Sequence, residues 1–236
     1  MTASKVDETA LEQFVGQVVT DMGAAMNAVL VIVGDELGLW KAMQNAGPMS
    51  PSELAGKTGV AERYVREWLS AQAASGYVEF DPEAEKFVLP PEQAMAFADA
   101  ESPVYMLGGY HIISSLFHDR DRLAERFRSG EGFGWHEHDP ELFAGTEQFF
   151  RPGYRTHLVP EWIPAMDGME EKLAGGAKVA DIGCGHGAST LVMAQAFPQS
   201  EFHGFDYHED SIAQAKRLAA EAGVENASFE VATAKD

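Results

Sequence analysis

The feature that most constrains this chain is a run of alternating glycines that follows a short apolar segment late in the sequence. From Lys178 to Gly187 the residues are Lys-Val-Ala-Asp-Ile-Gly-Cys-Gly-His-Gly. Glycine adopts positive φ angles at little steric cost, and it lets the backbone approach a ligand closely. A strand, a glycine turn and a helix N-terminus in that order form the nucleotide-binding corner of a doubly wound sheet. We therefore predict an α/β cofactor-binding domain with this turn at its centre.

The segments after the turn predict a parallel sheet with helical crossovers. Apolar runs alternate with helix-like segments, which gives β-α-β-α-β, half of a doubly wound fold. The second apolar run ends in Asp206, a carboxylate placed where such folds bind ribose hydroxyls. We predict strands over 178–182, 201–205 and 228–232 and helices over 188–197 and 210–222.

The first part of the chain has a different pattern, that of a winged helix. Ser50, Pro51 and Glu53 form a capping box with proline at the first helical position. A helix, a turn, a second helix and two short strands follow, and this order raises DNA binding as a hypothesis. The predicted helices cover 52–58 and 61–75, and the strands cover 77–80 and 86–89.

The charge distribution argues against nucleic acid as a partner. The whole chain has a formal net charge of −20, and residues 1–100 hold six Lys and Arg against fifteen Asp and Glu, a net charge of −9. In the second helix of the winged-helix pattern, Arg63 and Arg66 are flanked by Glu62 and Glu67. Such a surface repels phosphates. We expect packing or dimerisation as the role of this module, with no binding to nucleic acid or to an anionic membrane.

A long apolar helix is predicted over 10–44, and it suits either a core or a dimer interface. Its most apolar run, Met22 to Val33, is too short to cross a bilayer. The single cysteine, Cys184, excludes an internal disulfide, and no signal-peptide pattern precedes the helix. We expect a cytoplasmic protein and a homodimer formed through the N-terminal helices.

The middle of the chain, residues 101–170, is predicted to be helical and is rich in aromatic residues. These side chains suit a core or an apolar substrate pocket, and the sequence leaves both open. Tyr154 and His157 are the candidate pocket contacts. His136 and His138 have no third ligand at a supporting spacing, so we predict a polar loop and no metal site there.

Two cofactors compete for the glycine turn. Gly183, Gly185 and Ala188, with Asp206 as the ribose acid, fit the dinucleotide pattern G-x-G-x-x-A. Asp181 favours the other cofactor. A second carboxylate beside a pyrophosphate is unfavourable, whereas the ammonium and sulfonium of S-adenosylmethionine suit one.

The stretch Val179–Gly187 resembles motif I of the class I S-adenosylmethionine-dependent methyltransferases, and Phe202–Asp206 resembles their second motif. The preceding winged-helix and helical segments are similar to the N-terminal part of two-domain bacterial methyltransferases, whose layout is that of plant small-molecule O-methyltransferases. The resemblance implies a mainly α winged-helix and helical region followed by a Rossmann-like α/β methyltransferase domain. The implied boundaries are 1–100 for the winged-helix domain, 101–170 for a helical connecting and capping region, and 171–236 for the cofactor domain.

The resemblance also implies which residues bind the cofactor. Gly183, Cys184 and Gly185 would pass beneath the methionine portion and the ribose. Asp206 would accept hydrogen bonds from the ribose hydroxyls, and Tyr207 would lie against the adenine. The implied cofactor-binding set is Asp181, Gly183, Cys184, Gly185, Gly187, Asp206 and Tyr207, with Thr233 and Ala234 at the position of the third motif.

The same family implies a seven-stranded sheet in the order 3-2-1-4-5-7-6, whereas this chain ends at Asp236, after the third predicted strand. We therefore expect a C-terminally truncated methyltransferase of small molecules whose acceptor side lies outside this chain and whose catalytic residue is unknown. Two other classes stay open, a dinucleotide-dependent oxidoreductase and a winged-helix transcriptional regulator.

Overall fold

A computed structural model describes residues 6–233 of the chain. The chain divides into two compact units, one ending at Asp99 and one beginning at Ala100. Residues 101–170 and the glycine turn lie in the same unit. The finer division of the chain into three parts stays a prediction.

The first unit is helical with a small antiparallel wing, which confirms the predicted fold class of this part. The single helix predicted over 10–44 is wrong in one respect, because Gly38, with φ of 67°, breaks it into two helices. The elements are α1 (Glu8–Glu36), α2 (Leu39–Met43), α3 (Pro51–Thr58), α4 (Glu62–Ala74), β1 (Glu79–Asp81), β2 (Lys86–Val88) and α5 (Pro91–Phe97).

The predicted capping box at the start of α3 is confirmed. The Ser50 hydroxyl accepts from the backbone N–H of Glu53 at 3.3 Å, and the Glu53 carboxylate accepts from the backbone N–H of Ser50 at 2.7 Å. The two bonds satisfy donors that a helix N-terminus otherwise leaves without partners.

Two tryptophans pack α1 against the winged helix. The indole N–H of Trp68 donates to the Leu30 carbonyl at 2.8 Å, and that of Trp40 donates to the Val31 carbonyl at 3.0 Å. The two rings meet edge to face with centroids 4.6 Å apart. A Cβ atom at Gly34 would lie 2.6 Å from an atom of each ring, so glycine allows the helix to approach this closely.

Helix α1 buries only its C-terminal part, at Asn27, Ala28, Val31 and Gly34. By length and composition α1 could cross a membrane, with a hydropathy of 1.5, although core helices of soluble proteins and signal sequences pass the same test. The prediction that the helix is too short to cross a bilayer used residues 22–33 alone. The apolar stretch of α1 is longer than that run. Its exposed apolar side chains are Leu11, Phe14, Val15, Val18, Val19, Met22, Met26 and Val29.

The second unit is a helical layer followed by an α/β layer. The three strands form a parallel sheet in the order β3-β4-β5, and their predicted ends are confirmed to within one residue. The elements are α6 (Leu107–His118), α7 (Arg120–Ser129), a 3-10 turn (Trp135–Glu137), α8 (Pro140–Gly153), a π-helix (Tyr154–Trp162), α9 (Met169–Ala174), β3 (Lys178–Ile182), α10 (Ala188–Ala196), β4 (Glu201–Asp206), α11 (Glu209–Glu221) and β5 (Ala227–Val231).

One face of the sheet is covered by apolar packing. Phe202 packs with Ile163 and Phe197, and Phe229 packs with Ile212. The other face is more open, and Ile182 of β3 is 63% exposed. This arrangement leaves the carboxyl ends of the strands accessible beside the glycine turn.

Helices α6 and α8 cross at a pair of glycines. A Cβ atom at Gly108 would lie 2.5 Å from the Gly145 carbonyl oxygen and 2.5 Å from the Phe149 backbone nitrogen. The backbones are therefore too close for any larger residue at this point. The crossing sets the position of α8, which forms one wall of the site described next.

Candidate cofactor-binding site

The glycine turn joins β3 to α10 through three residues with positive φ. Gly183, Gly185 and Gly187 have φ of 77°, 54° and 77°, a region that side-chain-bearing residues rarely adopt. At Gly187 space is limiting as well, because an added Cβ atom would lie 2.6 Å from the Phe229 ring. Both the conformation and the packing therefore require glycine at this position.

Backbone N–H groups of the turn are bonded within the protein. The Phe205 carbonyl accepts from the N–H groups of Gly183 and Cys184 at 2.7 and 3.1 Å. The N–H of Gly185 donates to the Asp206 carboxylate at 2.9 Å. A phosphate-binding glycine loop needs such donors to face the ligand. In this turn three of them donate to acceptors of β4 instead, which disfavours a pyrophosphate.

Asp206 is a buried carboxylate at the end of β4, only 8% exposed. One of its oxygens accepts from the Gly185 N–H, and the other accepts from the His208 N–H at 2.9 Å. Each carboxylate oxygen has two lone pairs, so both can accept a further donor from a ligand. Asp206 therefore braces the turn and keeps the capacity to accept from ribose hydroxyls.

Asp181 is the second carboxylate at this edge of the sheet. Its Oδ2 accepts from the hydroxyls of Ser189 and Thr190 at 2.9 and 2.6 Å. Both hydroxyls come from the first turn of α10, so they fix the carboxylate toward the turn. Within residues 6–233, no ion pair with Lys or Arg involves Asp181 or Asp206.

Two cavities meet at the turn and share Gly183 and Asp206 as lining residues. The smaller has a volume of about 260 Å³ and the larger about 710 Å³. The smaller is lined by Trp135, Phe143, Thr146, Glu147, Phe150, Tyr154, Asp181, Gly183, Cys184, Gly185, His186, Ala188, Ser189, Asp206 and Ser211. The larger is lined by Ile182, Gly183, Phe205, Asp206, Tyr207, Ala232 and Thr233.

An aromatic wall faces the turn. Phe143 of α8 stacks on His208 with ring centroids 4.3 Å apart, and Trp135 meets Phe143 edge to face at 5.4 Å. The Tyr207 hydroxyl accepts from the His136 backbone N–H at 3.2 Å. These contacts hold the segment before α8 against the strand ends, although it is far away in the sequence. The segment predicted as a polar loop at 136–138 connects α7 to α8 and contains one 3-10 turn, Trp135–Glu137.

The two titratable side chains of the turn have shifted pKa values. Burial, followed by the charges of Asp181 and Asp206, raises the pKa of the Cys184 thiol to about 12. Cys184 packs in the apolar cluster with Ile212 and Phe229, and it also lines the smaller cavity. Burial, followed by the nearby His208, lowers the pKa of His186 below its usual 6.5. At neutral pH the His186 imidazole is therefore uncharged.

The structure separates the two candidate pocket contacts. Tyr154 lines the smaller cavity. His157 is not among the lining residues. It lies 3.0 Å from the Glu161 carboxylate and stacks with Trp162 at 6.1 Å, because the π-helical turn directs it along its own helix. Tyr154, His157 and Trp162 all belong to this π-helix, whose register the sequence pattern does not show.

The remaining predicted site residues are placed as follows. Tyr207 and Thr233 line the larger cavity, and Gly187 is buried beneath the turn. Ala234 lies outside the described residues. The sequence pattern does not identify Trp135, Phe143, Thr146, Glu147 or Phe150 as site residues. The aromatic richness of the segment is the one signal for a pocket, and it applies to Trp135, Phe143 and Phe150 alone.

Two parts of the chain match known domain families. Residues 25–98 match the Rv2258c-like winged HTH domain, and residues 173–236 match a methyltransferase domain. The first match covers the winged helix of the first unit. The second match begins just before β3 and includes the glycine turn.

Single relatives agree with these matches. A trans-aconitate 2-methyltransferase from Pseudomonas paraeruginosa is 36% identical over 111 residues, which is 47% of this chain and 35% of that protein. The structure of mitomycin 7-O-methyltransferase MmcR has a TM-score of 0.65 at 22% sequence identity. The aligned region covers 93% of this chain and 66% of the MmcR chain. Human N-acetylserotonin methyltransferase in complex with SAM has a TM-score of 0.59 at 15% sequence identity. The aligned region covers 98% of this chain and 68% of the human chain.

The match therefore spans about a third of the trans-aconitate enzyme and just under two thirds of the MmcR chain. The structural likeness extends over both units in sequence, and the two domain matches fall in the same order. The chain joins a winged helix-turn-helix domain of the Rv2258c-like kind to a methyltransferase domain, and it has the domain order and fold of the two-domain methyltransferases.

Proposed function

We propose that this protein is an S-adenosylmethionine-dependent methyltransferase that acts on a small molecule and binds the cofactor at the glycine turn. The observation that carries the proposal is the charge of the site. Asp181 and Asp206 both line the smaller cavity and have no ion pair with Lys or Arg among the described residues, and backbone donors of the turn are already used. This chemistry suits a ligand with a sulfonium and an ammonium, and it repels a pyrophosphate.

The residues present fit such a cofactor. None of the residues that line either cavity, all within the described part of the chain, is Lys or Arg. A third carboxylate, Glu147, has an ion pair with Arg151 at 3.2 Å. Asp206 would accept from the ribose hydroxyls, Asp181 would attract the ammonium group, and Tyr207 would lie against the adenine.

The bound cofactor would supply an electrophilic methyl group on a sulfonium. The residues of this chain would hold the reactants and exclude water from them. Tyr154, Phe150 and Trp135 line the smaller cavity with aromatic surface, which favours a flat or apolar acceptor. Alignment of two reactants in one cavity lowers the barrier by several kcal/mol, roughly 7–11 in well-oriented cases. His186, uncharged at neutral pH, lines the same cavity and is the one titratable histidine there.

Calorimetric titration of the 236-residue chain with S-adenosylhomocysteine and, separately, with NAD⁺ tests this assignment. We expect S-adenosylhomocysteine to bind with a Kd in the micromolar range, about −8 kcal/mol, and NAD⁺ to bind at least a hundredfold more weakly. The physical reason is the pair of carboxylates, which attracts the amino-acid ammonium and repels the pyrophosphate. Saturable NAD⁺ binding beside no S-adenosylhomocysteine binding would instead establish a dinucleotide-dependent oxidoreductase.

In this proposal the winged-helix unit takes part in protein–protein association and does not bind nucleic acid. On α4, Arg63 pairs with Glu67 at 3.0 Å and Arg66 pairs with Glu62 at 2.9 Å. Both arginines of the helix that would enter a DNA groove are therefore already paired, and the wing itself is acidic. These contacts support the view that the unit does not read nucleic acid. A cytoplasmic location agrees with the absence of a disulfide pair.

We infer further that two copies associate through α1. The exposed side chains of Leu11, Val18 and Met22 follow one another at helical spacing. At about 3.6 residues per turn, their face of the helix is roughly opposite to the one that Val31 and Gly34 bury in the same chain. An apolar stripe of this length is typical of an interface between subunits.

The variant Met22→Glu is expected to weaken this dimer by roughly a hundredfold or more, because a symmetric interface would bury the new charge twice. Sedimentation velocity across a range of concentrations measures the change. The matched control is Gln17→Glu, which adds the same charge on another face of the exposed part of α1 and should leave the dimer intact. A monomeric wild type, or equal effects of both variants, would contradict an interface at this stripe.

A further inference from the structure

A cluster of histidines and carboxylates lies outside both cofactor cavities, where the end of α6 meets the start of α8. Nδ1 of His118 lies 3.3 Å from Oδ2 of Asp139 and 3.8 Å from Oε2 of Glu141. One ligand atom from each of the three residues lies within 4.8 Å of the others. None of the three lines either cofactor cavity.

We propose that His118, Asp139 and Glu141 bind a divalent transition-metal ion of the zinc class. Zinc binds imidazole nitrogen and carboxylate oxygen at about 2.0–2.2 Å, commonly with three protein ligands and a water. In a tetrahedral site such bonds place the ligand atoms roughly 3.3 Å apart. The 3.3 and 3.8 Å separations at His118 match this geometry closely enough for small side-chain rotations to complete it.

The other oxygen of each carboxylate is already fixed by a hydrogen bond. The backbone N–H of Glu141 donates to Oδ1 of Asp139 at 3.0 Å, and Nδ1 of His111 lies 2.7 Å from Oε1 of Glu141. Outer contacts of this kind orient metal ligands and are worth about 10–100-fold in affinity. They leave Oδ2 and Oε2 directed toward His118. The ligand oxygens are therefore held in place before an ion arrives.

The charge of the cluster favours a cation. Among residues 6–233, the ion pairs of Asp139 and Glu141 are with histidines alone. Among the same residues no Lys or Arg pairs with either carboxylate, so no permanently charged side chain competes with a bound cation there. The side chain of His118 is 57% exposed, which gives an ion an entry path from solvent.

A bound ion would join α6 to α8. Helix α8 supplies Phe143, Thr146 and Glu147 to the smaller cofactor cavity. Binding to the folded state alone raises thermal stability as the ligand concentration rises. The ion would therefore stabilise the helix that forms the wall of the cavity without touching the cofactor.

Titration of the chelator-treated, dialysed full chain with ZnCl₂ at pH 7.5 tests the proposal. We expect one saturable site with a Kd in the low micromolar range and a Zn²⁺-dependent rise in Tm. His118→Ala and Glu141→Gln should each raise Kd at least tenfold and abolish the rise in Tm. His111→Ala should raise Kd about 10–100-fold although it removes no ligand atom.

Two controls make the outcome decisive. His203→Ala removes a partly exposed histidine of β4 that lies 3.9 Å from Glu201 and is not part of the cluster, so it should leave Zn²⁺ affinity unchanged. Asp139→Asn keeps an acceptor for the helix cap while weakening the ligand, so it should lose affinity with little loss of stability in the absence of metal. No saturable binding below about 100 μM, or unchanged binding by a folded His118→Ala, would overturn the site and leave a plain ion-pair cluster.

Discussion

The variant Asp206→Asn is expected to weaken S-adenosylhomocysteine binding by about 10–100-fold in calorimetry. Hydrogen bonds to a charged group are worth about 1.5–3 kcal/mol, and about 1.4 kcal/mol corresponds to a factor of ten in Kd. The loss has two sources. The amide is a weaker acceptor for the ribose hydroxyls, and it braces the turn less well because Gly185 and His208 both donate to the native carboxylate.

Asp210→Asn is the matched control for this experiment. It removes the same charge four residues further along, at an exposed position in the first turn of α11. The Kd of this variant for S-adenosylhomocysteine should stay within about twofold of the wild-type value, since exposed surface charges contribute little to interaction energies. Circular dichroism of both variants separates a binding effect from unfolding. A folded Asp206→Asn protein with wild-type affinity would show that the carboxylate does not contact the ligand.

The second large effect is expected from Gly108→Ala, at the crossing of α6 and α8. The added methyl group would lie 2.5 Å from the Gly145 carbonyl oxygen and the Phe149 nitrogen, and these are backbone atoms that cannot rotate away. Overpacking of this kind costs about 1–3 kcal/mol, so we expect the transition of the second unit to fall by roughly 4–8 °C. Because α8 shapes the smaller cavity, affinity for S-adenosylhomocysteine should fall as well.

Gly153→Ala is the control for the helix crossing. Nothing lies within 4 Å of a Cβ atom built at Gly153, and its φ of −62° is ordinary helix. Alanine is favoured over glycine in helices by about 1 kcal/mol, so this variant should be neutral or slightly more stable. Differential scanning calorimetry compares the two variants directly. Equal stability of Gly108→Ala and wild type would mean that the two helices can separate freely.

Much of the fold follows from local signals. The strands of the second unit are predicted to within one residue, because each apolar run is bounded by a turn or a helix signal in its immediate neighbours. The capping box at Ser50 is a contact between residues three positions apart, so it can be read directly. The sequence pattern does not predict the break of the first helix at Gly38, because a single glycine does not by itself stop a helix.

The candidate site was predictable in part. Asp181, Gly183, Gly185 and Asp206 all face one region, since the carboxyl ends of neighbouring parallel strands lie at the same edge of the sheet. The assignment of each to a cofactor atom stays a prediction. The sequence suggests both Tyr154 and His157 as pocket contacts. In a π-helix the angle between successive side chains differs from that of an α-helix, and only Tyr154 lines the cavity.

The sequence by itself determined the order of the elements, the glycine turn and the two carboxylates beside it, because caps, turns and strand ends depend on neighbouring residues. Only the tertiary structure decided which aromatic residues form the cavity wall and where the donors of the turn are directed. Phe143 meets His208, and Gly183 donates to Phe205, across long stretches of chain. Contacts of that kind depend on how helices and strands pack in space, and no local pattern encodes them.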